Sequence, residues 1–163
     1  RIMTDKRLEE QNRATVLPAE QLRMALEMEC RGYALYSRAR ALTNDPALRA
    51  LLDDLCREEA LHYEMFSAMA EGRPQAAGEQ NQLAIAMAAE AFYPGGLMQV
   101  SAEGGLDSRE AMLETAIRAE RDSIAYYEKM LPALKGESAE TVRKIIHEEE
   151  GHLRTLAQWR DEK

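Results

Sequence analysis

Residues 58–62, EEALH, return 90 residues later as EEEGH at 148–152, and the repeat runs well beyond those five positions. Leu48, Leu52, Leu55, Glu59, His62, Phe66 and Met69 follow one another at steps of three or four, so on a helix they share one face. Val142, Ile145, Glu149, His152, Leu156 and Trp159 repeat that stripe from Leu52 onward at a constant offset of 90. A second pair of stripes lies upstream of each. Leu22, Leu26, Glu29, Tyr33 and Tyr36 match Leu113, Ile117, Glu120, Ile124 and Tyr127 at an offset of 91. Each apolar stripe is thus interrupted at its middle, once by a lone Glu with a Tyr seven residues on, once by Glu-x-x-His. The chain reads as two copies of one helical hairpin, and each copy must bury its stripes against the other.

The punctuation fits four helices. Pro18 suits a first helical turn, and the first helix is expected to run to about Leu42. Asp45-Pro46 is an N-cap followed by a first-turn proline, opening a second helix to Glu71, ahead of Gly72 and Pro74. Residues 107–110, DSRE, resemble a capping box opening a third helix to about Leu131, and Ser138 is expected to cap a fourth to about Arg160. The short loops at 43–45 and 132–138 make helices one and two, and three and four, antiparallel neighbours. A long crossover, 72–106, joins the hairpins and contains a small Ala/Met-rich helix, Gln82 to Phe92, then the Gly-rich PGGLMQVSAEGG. Residues 1–15 read as a charged arm on a single domain spanning 1–163. The fold class is all-α, and long β-branched or alternating stretches are missing.

Charge and cysteine usage exclude several functions. A net charge of −8 gives no electrostatic footprint for nucleic acid. The two cysteines, Cys30 and Cys56, stand alone in helical patterns with no CxxC, which excludes a thiolate zinc or rubredoxin-like knuckle; they read as small buried hydrophobes in a reducing compartment. No apolar run approaches the roughly 20 residues of a membrane span, no basic-then-apolar leader is visible, and a cytoplasmic location is expected.

The interrupted stripes carry the chemistry. Four carboxylates converging on a dry core would repel one another and lose their hydration, a penalty of roughly several kcal/mol each unless neutralised. Two divalent cations supply four positive charges against them. Glu and His at i and i+3 present an oxygen and a nitrogen to one ion, and carboxylates from neighbouring helices can bridge two. Mixed carboxylate and imidazole donors suit iron or manganese, and zinc also accepts them.

At these residues the chain resembles the ferritin-like superfamily of di-iron carboxylate proteins, in its rubrerythrin-type branch, from Leu17 to Arg160. The resemblance implies a four-helix bundle whose long crossover holds a short helix, with one Glu from each of two helices and Glu-x-x-His from the other two. It implies Glu29 and Glu120 as ligands from the first and third helices, and Glu59 with His62 and Glu149 with His152 as paired ligands. Tyr36 and Tyr127 would be hydrogen-bond donors to ligating carboxylates. The implied cofactor is two iron ions, with manganese or zinc as substitutes. The implied activity is an oxidoreductase reacting with O2 or hydrogen peroxide and re-reduced by an external electron donor, in a homodimer. The alternatives are an iron-binding ferroxidase of storage type and a structural bundle that has lost redox activity. Two departures stand out: no cysteines remain for a rubredoxin-like domain, and Ser123 occupies the position of an extra glutamate that rubrerythrins carry one turn after the third-helix ligand. Both weigh against peroxide reduction by the rubrerythrin route.

Glu58 and Glu148, four residues before the histidines, are the alternative ligands. The row behind Glu58 (Asp54, Leu51) is mixed whereas that behind Glu59 (Leu55, Leu52) is apolar, which favours Glu59 and, by the repeat, Glu149. His147 shares a face with Glu140, Lys144 and Gly151 and is expected in solvent, Tyr33 in the core, and Glu90 of the crossover helix on the surface or over the site.

Overall fold

The computed structural model describes residues 19–72, 85–89 and 106–162. Among these the chain is all-α: α1 spans Ala19–Leu42, α2 Pro46–Glu71, α3 Arg109–Met130 and α4 Gly136–Asp161, with a single 3-10 turn at Leu131–Ala133. Residues 85–89 are also helical; residues 73–84 and 90–105 of the crossover, including Glu90, and the arm at 1–15 lie outside the described residues.

Local chemistry sets the ends. Asp45 accepts from the N–H of Ala47 (3.0 Å) and Leu48 (3.4 Å), and Pro46 supplies the first-turn φ, so α2 starts where its orphan donors are satisfied. It stops at Gly72, whose φ of 65° lies in the left-handed region, with its N–H turned back on Ala68 and Met69. Two sequence expectations need correction. The cap of α3 is Ser108, accepting from Ala111 N–H at 3.0 Å; the third residue after it is Ala111, so no Glu closes a box, and the helix gives way to the 3-10 turn after Met130 because Pro132 cannot continue it. Ser138 does not cap α4. That helix begins at Gly136 with Lys135 in the cap position, and Ser138 is buried within the first turn.

Cross-helix contacts fix the directions. Arg40 pairs with Asp53, and Ser37 Oγ lies 3.5 Å from Cys56 Sγ, so α1 and α2 run antiparallel. In the other hairpin Arg160 reaches Glu114 (3.4 Å), while Arg109 donates to the Trp159 carbonyl (2.8 Å) and sits over the indole ring. The main contacts across the hairpins are α1 against α3 and α2 against α4. Here too the pairs are antiparallel: Tyr36 meets Glu120 while Tyr127 meets Glu29, and His62 meets Glu148 while Glu58 meets His152.

The core is divided. One apolar cluster gathers the end of α1, the start of α2, the start of α3 and Leu156 around Leu35, Leu52, Leu113 and Ile117, with Ile85 and Ala89 of the crossover packed onto it. The other gathers the opposite ends around Leu22, Phe66, Tyr127, Met130 and Ile145. Burying each such side chain contributes about 2 kcal/mol. Cys30 and Cys56 belong to the first cluster as free thiols, and burial pushes the Cys30 thiol up to about 12. Between the clusters, by helix position, lies a layer with hardly any apolar side chains. That layer is the site.

Candidate metal centre

Each helix delivers to this layer the residue that breaks its own apolar stripe. Glu29 comes from α1, Glu59 and His62 from α2, Glu120 from α3, Glu149 and His152 from α4. None is more than 8% exposed. Tyr36 and Tyr127 are fully buried beside them. All eight residues singled out from the sequence therefore meet in one place, although they come from 29 to 152 in the chain.

The ligand atoms face one another. Glu59, Glu120, Glu149 and His152 can offer one ligand atom each within 4.8 Å of one another, and so can Glu29, His62 and Glu149. Glu149 belongs to both groups, which is where a carboxylate must stand to join two ions. The His62 and His152 rings lie 6.1 Å apart, inclined by only 26°. His62 Nδ1 points inward, 3.0 Å from Glu149 Oε1 and 3.7 Å from Glu29 Oε1; His152 Nδ1 stands 3.6 Å from Glu120 Oε1 and 3.5 Å from Glu149 Oε2.

The tyrosines and two further glutamates hold this set from outside. Tyr127 donates to Glu29 Oε1 at 2.7 Å, and Tyr36 donates to Glu120 Oε1. Burial and the neighbouring carboxylate push both phenols well above their usual range, so they remain donors at any ordinary pH. Glu148 Oε2 lies 2.6 Å from His62 Nε2, and Glu58 Oε2 lies 2.7 Å from His152 Nε2. Glu58 and Glu148 are the near misses of the sequence reading. Their side chains remain partly exposed, and each faces the outer nitrogen of a histidine on the opposite hairpin. A carboxylate accepting from Nε2–H leaves Nδ1 directed at the inner oxygens. Their matching positions at the 90-residue offset were visible in the sequence; that they reach across hairpins was not, since helix periodicity says nothing of the rotation between helices. His147 is exposed, Tyr33 is half-buried against the first apolar cluster, and Ser123 is half-buried.

Proton positions follow from the crowding. Burial drives Glu59 well above the usual carboxylate range, reinforced by Glu149 and Glu29, and burial with Glu149 pushes Glu120 up to about 8. Burial acts on Glu29 and Glu149 in the same direction but is outweighed, by the adjoining Glu59 carboxyl and the His62 charge for Glu29 and by the adjoining Glu120 carboxyl and both imidazoles for Glu149; both end below the usual range. Burial disfavours the imidazoliums, yet the surrounding carboxylates hold His62 well above its ordinary value and His152 at about 11. Hydrogen bonds with His152 and His62 lower Glu58 and Glu148. At pH 7 Glu120 and His152 therefore hold their protons, while Glu59 and His62 are shifted up and Glu29 and Glu149 down within the same buried set.

Glu29 Oε2, Glu120 Oε2, Glu149 Oε2 and His152 Nδ1 are buried with no hydrogen-bond partner. Native interiors leave few such atoms, and four in one cavity, all oxygen or imidazole nitrogen, form a donor set for a hard to borderline cation. The buried Glu and His groups can hold metal ions. Searches of protein-family models, curated proteins and solved structures find no match to this chain. The functional reading therefore stands on the site itself. Among the described residues no helix is long and apolar enough to cross a membrane.

Proposed function

We propose that the chain is a ferritin-like four-helix bundle of rubrerythrin type, two hairpins joined by the 72–106 crossover, that binds two iron ions and acts as an oxidoreductase toward O2 or hydrogen peroxide. The observation that carries this reading is the set of four unpartnered ligand atoms, Glu29 Oε2, Glu120 Oε2, Glu149 Oε2 and His152 Nδ1, at the centre of six buried Glu and His residues. Donor chemistry supports iron over a soft metal, and manganese or zinc would fit the same oxygens and imidazoles.

When bound, a pair of iron ions supplies one-electron steps to an oxidant that a protein side chain cannot supply. The chain's residues do the rest. Glu29, Glu59, His62, Glu120, Glu149 and His152 would hold the ions, with Glu149 within reach of both ligand groups and Glu29 and Glu120 each fixed by a tyrosine hydroxyl. His62 and His152 would present Nδ1, held in orientation by Glu148 and Glu58. The two apolar clusters close the layer at both ends and keep bulk water from the reacting atoms. Cys30 and Cys56 are buried thiols, and re-reduction is assigned to an external electron donor.

Metal analysis of protein purified without added metal, then optical spectra during anaerobic Fe(II) loading and exposure to air, test the proposal. Two iron per chain and an air-dependent charge-transfer band are expected, both lost in Glu59→Ala and His152→Ala. Absence of stoichiometric metal in the wild type, or full metal content in both variants, would overturn it.

A further inference from the structure

Gly32 lies inside α1, one turn after Glu29, and is buried. Glycine weakens a helix interior relative to alanine because it has more backbone freedom to lose and no side chain to pack. At Gly72 and Gly136 a positive φ justifies glycine, but Gly32 has none. Its justification is spatial. A Cβ built there would fall 2.6 Å from Glu59 Oε2 and 2.9 Å from Glu59 Cδ, distances that real Cβ atoms essentially never show. The Glu59 carboxylate fills the volume that any other residue would occupy. A second glycine inside a helix, Gly151 of α4, is the contrast: its Cβ would meet only the flexible tip of Arg154, at 3.8 Å.

We infer that Gly32 is a positioning residue for the metal centre, a notch in α1 that seats the Glu59 carboxylate where it can share an ion with Glu120, Glu149 and His152. The inference rests on the metal reading above and sharpens it. The notch is one-sided, because the repeat places Ser123 rather than a second glycine at the matching position of α3. Glu59 stands within ligand distance of Glu120, Glu149 and His152, and its carboxyl also interacts with Glu29 of the other group. Filling the notch should therefore weaken metal binding through Glu59.

The test titrates metal-free protein with Co(II), reading the visible d–d bands and the bound ions by equilibrium dialysis, with thermal unfolding in chelator alongside. Wild type should take up two ions. In Gly32→Ala metal affinity should fall at least tenfold, as loss of ligand support typically does. Metal-free Gly32→Ala should unfold no earlier than wild type, since the helix gains an alanine and the end of the Glu59 side chain can swing away. Gly151→Ala should gain thermal stability and titrate as wild type. Glu59→Asp, whose shorter side chain withdraws from the notch, should weaken binding less in the Gly32→Ala background than in wild type, and the double variant keeps the test open should Gly32→Ala fold poorly. Equal titrations for wild type and Gly32→Ala, or additive losses in the double variant, would overturn this inference alone. A wild type that takes up no Co(II) would overturn the metal reading and this inference with it.

Discussion

Glu120→Gln should make the metal-free protein more stable while abolishing much of its response to metal. Glu120 is 2% exposed, and burial together with the Glu149 charge raises its carboxyl from 4.5 to about 8. Because the folded value is the higher one, the group adds nothing below pH 4.5, where both states are protonated, and destabilises progressively from 4.5 to 8, where the unfolded chain ionises and the folded one does not. At pH 7 the two and a half pH units above 4.5 amount to about 3 kcal/mol. Glutamine keeps the shape, keeps an oxygen to accept from Tyr36, and does not titrate. In chelator at pH 7 the variant should gain up to about 3 kcal/mol, or roughly 6–12 °C in unfolding temperature for a chain of this size. At pH 4.5 that advantage should vanish. With Fe(II) or Co(II) added, wild type should gain stability by mass action and the variant much less. Differential scanning calorimetry at both pH values, with chelator and with metal, measures all four quantities. A variant no more stable than wild type in chelator at pH 7, or equally stabilised at pH 4.5, would refute the view that the site opposes the fold until a cation enters.

Tyr127→Phe removes the hydroxyl that donates to Glu29 Oε1, so the metal-free protein should lose about 2 kcal/mol by chemical denaturation and metal affinity should fall about 10- to 100-fold; unchanged values for both would show the hydroxyl to be incidental. Glu58→Ala and Glu148→Ala should each weaken metal binding by about 10- to 100-fold while keeping two ions per chain, and loss of an ion by dialysis would place them among the ligands instead. Metal uptake at pH 7 should release protons from Glu120 and His152, seen by calorimetry in buffers of different ionisation enthalpy; release near zero would refute the raised values of these two groups. His152, with a folded value of about 11 against 6.5, stabilises the metal-free chain fully below pH 6.5 and less as pH rises toward 11, so with Glu120 it should make the metal-free unfolding temperature fall from pH 6 to 9.

How much of this was legible in the chain depends on which geometry a residue needs. Glu29, Glu59, His62, Glu120, Glu149 and His152 announce themselves because a helix periodicity of 3.6 places each on its own helix's apolar face, and a polar residue there must be explained. The all-α class and the start of α2 follow from equally local signals, Asp45-Pro46 above all; the start of α3 falls within the DSRE stretch, but its cap is Ser108 and no capping box forms. The cap of α4 misled because Ser138 is an excellent cap chemically, while the backbone enters the helix two residues earlier, at Gly136. The roles of Glu58, Glu148 and Gly32 depend on how neighbouring helices are rotated. Gly32 offers no periodicity signal, and its effect falls on a residue 27 positions away. A lone glycine in a strong helix pattern was the available clue.

The duplication also explains why one layer can be polar at all. Two hairpins joined antiparallel bring position 29 opposite 127, 36 opposite 120, 58 opposite 152 and 62 opposite 148, so every support on one side has its counterpart on the other. One Glu and one Glu-x-x-His per hairpin then suffice to assemble four carboxylates and two imidazoles. Burial raises Glu59 and Glu120, and the carboxylates raise both imidazoles, so protons offset part of the buried charge. Those protons still leave Glu29 Oε2, Glu120 Oε2, Glu149 Oε2 and His152 Nδ1 without hydrogen-bond partners, atoms that a cation could use. The fold thus holds in place a set of buried donors that its own hydrogen bonds do not complete.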